Sequence, residues 1–198
     1  KFTIQLWEMT NFYLEKESIP RWNKFMQGYY DQSGISAESF DQAITMDGAG
    51  SPSLTDEMKE KGIHLETTVA PAVYYFGFNM LDPVVGGEST RAKYLRQAIS
   101  IAVNYEEYID IFMNGRGIAA QGPIPPGIFG FEEGQLGINN VVYDWDGHEA
   151  KRKPISAAKA LMKKAGYPAG VDPKTGRSLV LQYDVATGGG PDDKARLN

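Results

Sequence analysis

The sequence predicts an α/β protein, and three observations predict it. Residues 2–6 and 179–183 alternate apolar and polar side chains with the period of a half-buried strand, and residues 73–79 form an aromatic-rich extended run. Between these runs stand segments whose apolar residues recur at helical spacing, and strands alternating with helices point to α/β architecture. Hydrophobic residues make up 42% and charged residues 23%, ordinary globular usage that excludes a disordered tail or a fibrous repeat. The length of 198 residues, set against about 150 per domain, allows one to two domains and a sizeable core.

In chain order, Phe2, Ile4 and Leu6 share one face of the first strand. After Ser18-Ile19-Pro20, Trp22, Phe25, Met26 and Tyr29 recur at i, i+3, i+4 and i+7, with Pro20 suited to a first helical turn. The stripe reads as core, because burying an aromatic ring removes a large apolar area from water. Residues 36–44 predict a second short helix with Phe40, Ala43 and Ile44 on one side. Thr55 is placed to cap a third over 56–61, stopped by Gly62. The glycines of residues 47–52 and the run Gly188-Gly189-Gly190 lack the spacing of a phosphate loop and read as connectors. In the 73–79 strand, Gly77 marks a bulge or a close approach to the backbone.

Leu95, Ala98, Ile99, Ala102, Tyr105, Ile109 and Phe112 keep a helical period over residues 91–113. Asn104 followed by Glu107 has the form of a cap pair, so this stretch is one helix or two with a break at Asn104. The loop Gln121-Gly122-Pro123-Ile124-Pro125-Pro126-Gly127 is too rich in proline and glycine for either regular state, and its stiffness suits a pocket wall. The last helix, over 156–165, carries Ser156 as expected cap, Lys163 and Lys164 in its final turn, Gly166 beyond and Pro168 after that.

Twenty Lys and Arg against twenty-five Asp and Glu leave a formal charge of -5 with no basic block, which argues against a nucleic-acid partner. The apolar run from residue 69 to 81 falls short of the roughly 20 residues that cross a bilayer. Cysteine is absent, so thiolate metal sites and disulfides are excluded, and His64 and His148 form no local zinc signature. The chain starts at Lys1 within a strand pattern and stops at Asn198 within a helix pattern, so a piece of a larger protein is expected.

Five linked segments resemble the family 5 extracellular solute-binding proteins, the dipeptide and oligopeptide receptors of bacterial ABC importers. They are Tyr75-Phe76-Gly77-Phe78-Asn79, the helix from Tyr94-Leu95-Arg96-Gln97-Ala98 through Asn104, and Gly115-Arg116-Gly117 with Ala119-Ala120. The loop Gly122-Pro123-Ile124-Pro125-Pro126-Gly127 and the helix Ala157-Ala158-Lys159-Ala160-Leu161-Met162-Lys163-Lys164-Ala165-Gly166-Tyr167 complete the set. The resemblance covers roughly residues 55–185, the earlier residues reading as a stretch peculiar to a subgroup. Asn104 stands where the family usually has Asp as a helix cap, which favours the break, since Asn caps equally well.

The resemblance implies a portion of a two-lobed periplasmic-binding-protein-like fold of type II. Residues 1–80 would join from the first lobe and residues 81–198 would open the second. It implies a receptor, not an enzyme, lying in the periplasm or anchored outside the membrane, that hands a small solute, peptide foremost and oligosaccharide next, to an ABC permease. No cofactor or metal is implied. The ligand-binding residues implied are Asn79, Phe78 and Tyr75 with Gln121 and Ile124, the amides hydrogen-bonding and the apolar groups covering the solute. For Asn79 the other reading is a turn cap.

Two rival classes draw on other residues. A carboxylate-dependent hydrolase would draw on Glu106, Glu107, Glu132, Glu133, Asp144 or Asp146, but adjacent helical positions point about 100° apart, so Glu106 and Glu107 do not converge on one bond. A carbohydrate-binding module would stack sugars on Trp7, Trp22 or Trp145. Trp145, between two aspartates, is the one expected to be exposed.

Overall fold

The computed structural model describes residues 13–46 and 52–184. Contacts divide the chain into two units, Lys1–Thr67 and Thr68–Asn198. The first strand expected at residues 2–6, Trp7 and the glycine run at 188–190 lie outside the described residues.

In the first unit the aromatic stripe folds as helix α1 (Ser18–Met26) and buries Trp22. The indole Nε1 donates to Gln42 Oε1 at 2.8 Å, which pairs the one polar atom that burial would otherwise strand. Tyr29, expected on the same stripe, lies beyond the helix end and is exposed, because the chain turns at Gly28 with φ +78°. Helix α2 (Ala37–Ala43) runs into strand β1 (Ile44–Met46), which pairs antiparallel with β2 (Pro52–Leu54) and sets Ile44 opposite Leu54. Pro52, expected in a connector, therefore starts a strand. Helix α3 (Asp56–Glu60) adds Met58 to a core of Trp22, Phe40, Ala43, Ile44 and Leu54. Thr55 has the extended backbone of a cap, but its hydroxyl donates to Gln42 O at 3.0 Å instead of accepting from the helix.

In the second unit the long helical pattern is two helices, α4 (Thr90–Ala102) and α5 (Tyr105–Met113). Asn104 Oδ1 accepts the Glu107 N–H at 3.3 Å while its Nδ2 donates to Glu107 Oε2 at 3.0 Å, a reciprocal cap that separates them. A one-turn helix α6 (Gly134–Gly137) and an antiparallel hairpin of β3 (Tyr143–Trp145) and β4 (Ala150–Arg152) follow. Helix α7 (Ile155–Lys164) packs on α4, where Ala92, Leu95, Ala98 and Ile101 meet a partner face that buries Ala158 and Ala165. Alanines on both sides let the backbones approach closely. Arg91 closes the far end of the pair, its Nε donating to Ala165 O at 2.9 Å and its guanidinium lying 4.5 Å over the Tyr167 ring.

Three sequence expectations are corrected here. Residues 73–79 and 179–183 belong to neither helix nor strand, and the described sheets are two antiparallel hairpins, so the described chain mixes helices with small sheets. Strand propensity marks chain that suits a pleated surface, whereas a strand exists only where a partner supplies the ladder. The helix expected from Ser156 starts at Ile155 with Pro154 in the cap position and no side-chain cap bond, since Pro154 already presets the entry. Trp145, expected between Asp144 and Asp146 in a polar loop, ends strand β3 instead, and residues 146–149 form the turn of the β3–β4 hairpin.

Candidate functional site

Asn79 opens a tightly folded loop that leads from residues 73–78 into α4. Its Oδ1 accepts the Leu81 N–H at 3.0 Å and its carbonyl accepts the Asp82 N–H at 3.1 Å. Asp82 Oδ1 then accepts from Val84 and Val85 at 2.8 and 2.9 Å. Gly86 is buried where an added Cβ would run into the carbonyls of Met80 and Asp82, so only glycine fits. Arg96 of α4 fastens the loop, Nη1 donating to Val85 O at 2.6 Å and Gly87 O at 3.0 Å. Asn79 thus serves the turn through its oxygen, and its exposed position leaves the Nδ2 donor open to solvent.

The segment before the loop carries the aromatic side chains. Phe76 stacks on Tyr105 at 5.8 Å between centroids and meets the edge of Tyr183 at 5.6 Å. Burial, opposed by the Phe76 backbone facing its oxygen, raises the Tyr105 hydroxyl above the ordinary phenol range. With Phe76 so held, Tyr74 and Tyr75 stand 88% and 81% exposed and Phe78 is half-buried. No charged residue occurs between Glu66 and Asp82. Beyond Asn79, a cavity of about 290 Å³ is lined by Asp82, Pro83, Val84, Val85, Val180, Leu181 and Gln182.

Gln121 and Ile124 belong to a different loop. The Gln121 amide is engaged internally: Oε1 accepts the Asn139 N–H at 3.1 Å and Nε2 donates to Ala119 O at 3.4 Å. Ile124 is 39% exposed beside Gly130, and Phe129 stands fully out of the same loop. Tyr75, Phe78 and Asn79 therefore lie on one continuous segment, while Gln121 and Ile124 sit on a loop whose hydrogen bonds run to Ala119 and Asn139. Trp145 is half-buried against Ile138, Val142 and Tyr143 and is no open platform, and Trp22 belongs to the first core.

Glu106 and Asp146 are engaged by the fold. Glu106 accepts the Tyr143 hydroxyl at 2.6 Å and Arg152 Nη1 at 2.9 Å. Arg152 Nη2 donates to Ile101 O at 2.6 Å and to Val103 O, satisfying carbonyls at the α4 end that no turn of helix follows. Burial pushes the Glu106 carboxyl up, but the Tyr143 hydroxyl, a backbone N–H and the Arg152 charge outweigh it and hold the group below its ordinary value. Burial and the Glu106 bond push the Tyr143 hydroxyl up to about 12. Asp146 Oδ1 caps the hairpin turn by accepting from His148 and Glu149, both at 2.9 Å.

This network escaped sequence reasoning. A signal was present: Asp146-Gly147 between the apolar run Val141-Val142-Tyr143 and residues 150–152 is a hairpin pattern. Among the described residues no three His, Cys, Asp or Glu side chains gather as a metal site, and no helix is long and apolar enough to cross a membrane.

No curated protein and no solved structure matches the chain. A family model does, that of the bacterial extracellular solute-binding proteins, family 5 Middle, over residues 14–196, taking in chain well ahead of residue 55. The match includes the aromatic segment, the Asn79 loop, α4 with its capped successor and α7, so the chain belongs to the family 5 bacterial extracellular solute-binding proteins.

Proposed function

We propose that this chain is part of a two-lobed receptor of type II periplasmic-binding architecture that captures a small solute, foremost a peptide, and delivers it to the permease of an ABC importer. Residues 1–80 join from the first lobe and residues 81–198 open the second. The receptor works in the periplasm or at the outer side of the membrane and carries out no chemistry on its solute. The family assignment supports the receptor class.

The observation that supports the site is the uncharged, largely exposed aromatic segment at residues 73–79. Tyr74 and Tyr75 offer open rings and hydroxyls, Phe78 adds apolar area and Asn79 Nδ2 offers a donor. An uncharged segment with amide and hydroxyl groups suits the backbone and apolar side chains of a short peptide. Gln121 and Ile124 join the site when their loop meets the solute from another side.

Native mass spectrometry of the full-length protein tests the reading. A ladder of co-purified peptide masses is the expected result. A single sugar-like mass would keep the receptor and replace the solute by an oligosaccharide stacked on Tyr74 and Tyr75. Peptide or glycoside hydrolysis that survives purification would overturn the receptor reading.

A further inference from the structure

We propose that Arg152 is a positioning residue for the aromatic segment at residues 73–79, acting through the first turn of α5. The inference rests on the reading of that segment as the solute site. Arg152 lies on β4 and touches none of the segment's residues by hydrogen bond. Its planar fork spans three acceptors on two helices: the Ile101 and Val103 carbonyls at the end of α4, and the Glu106 carboxylate in the first turn of α5. Tyr143, on the neighbouring strand, takes the other oxygen of the same carboxylate.

Between Asn104, which caps α5, and Glu106, which the hairpin grips, stands Tyr105. Its ring is the stacking partner of Phe76, and the Phe76 backbone faces its hydroxyl. The path from hairpin to segment is thus contiguous: Arg152 fixes Glu106, the α4–α5 elbow fixes Tyr105, and Tyr105 holds Phe76 so that Tyr74 and Tyr75 project outward. A lysine at 152 would keep one charge beside Glu106 but lose the fork that bridges carboxylate and helix-end carbonyls.

The test compares wild type, Arg152→Lys and Tyr105→Leu by NMR of ring-labelled Phe and Tyr, with backbone hydrogen exchange of Leu95 and Ala98 as a readout of the α4–α7 core. Calorimetric titration with trialanine runs in parallel on the full-length protein. The expected result is that R152K moves the Phe76 ring signals in the direction Y105L moves them, leaves exchange at Leu95 and Ala98 within about twofold of wild type, and weakens trialanine binding by at least about fivefold. Unmoved Phe76 signals in R152K would overturn the proposal, as would movement seen only together with faster exchange in the core. If the ring signals move with the core intact but wild type binds no trialanine, the positioning role stands and the peptide reading falls.

Discussion

Leu95 is fully buried on α4, the helix that packs on α7, and truncation to Ala removes its apolar transfer energy and leaves a cavity. Leu95→Ala is expected to cost about 2–5 kcal/mol, read as a lower urea midpoint at unchanged slope. Tyr143 should give a distinct signature: with its hydroxyl pushed up to about 12, one phenol ionises late in an ultraviolet titration, and Tyr143→Phe removes that late phase. Glu106 sets a pH dependence of defined sign. Its folded value lies below the ordinary 4.5, so the stability it contributes is present above the unfolded value and is lost as pH falls through the folded one. The stability difference between wild type and Glu106→Gln should therefore be constant at neutral pH and shrink on acidification below about pH 4.5, followed by urea titrations at successive pH values.

At the scale of elements, the α4–α5 boundary is made by a cap and a guanidinium. Asn104→Ala removes the side-chain acceptor for the Glu107 N–H and is expected to cost about 1 kcal/mol, with faster hydrogen exchange in the first turn of α5. The other end of α5 finishes on Asn114 in the left-handed region at φ +52°, a conformation easiest for glycine. Asn114→Gly should preserve or slightly raise stability there, whereas Gly86→Ala should disrupt the loop ahead of α4, because no movement of a flexible side chain relieves a clash with two backbone carbonyls. The hairpin of β3 and β4 supplies the long-range element, since its Tyr143 and Arg152 reach α5 and the α4 end across many residues of sequence.

For the whole molecule the proposed solute site yields a prediction that separates turn from ligand. Asn79→Asp keeps an oxygen for the Leu81 N–H and deletes the Nδ2 donor, so thermal stability should stay near wild type while affinity of the full-length protein for trialanine falls by about fivefold, measured by calorimetry. Unchanged affinity would remove Asn79 from the site and leave it as the turn residue its oxygen already makes it.

Local chemistry accounts for much of what was legible. Helices α1, α4, α5 and α7 announce themselves through apolar spacing, and the Asn104–Glu107 pair marks the break because both partners lie within one turn. The family is legible for the same reason, its segments being contiguous runs of residues. Pairing between distant residues was not legible. The β-rich runs at 73–79 and 179–183 have the composition of strands, but a ladder needs a neighbour that composition does not name. The roles of Glu106, Tyr143 and Arg152 emerge only when the hairpin is folded against the α4–α5 elbow. Periodicity records which face of an element is apolar, whereas a partly buried carboxylate and guanidinium and a buried phenol find one another only through packing.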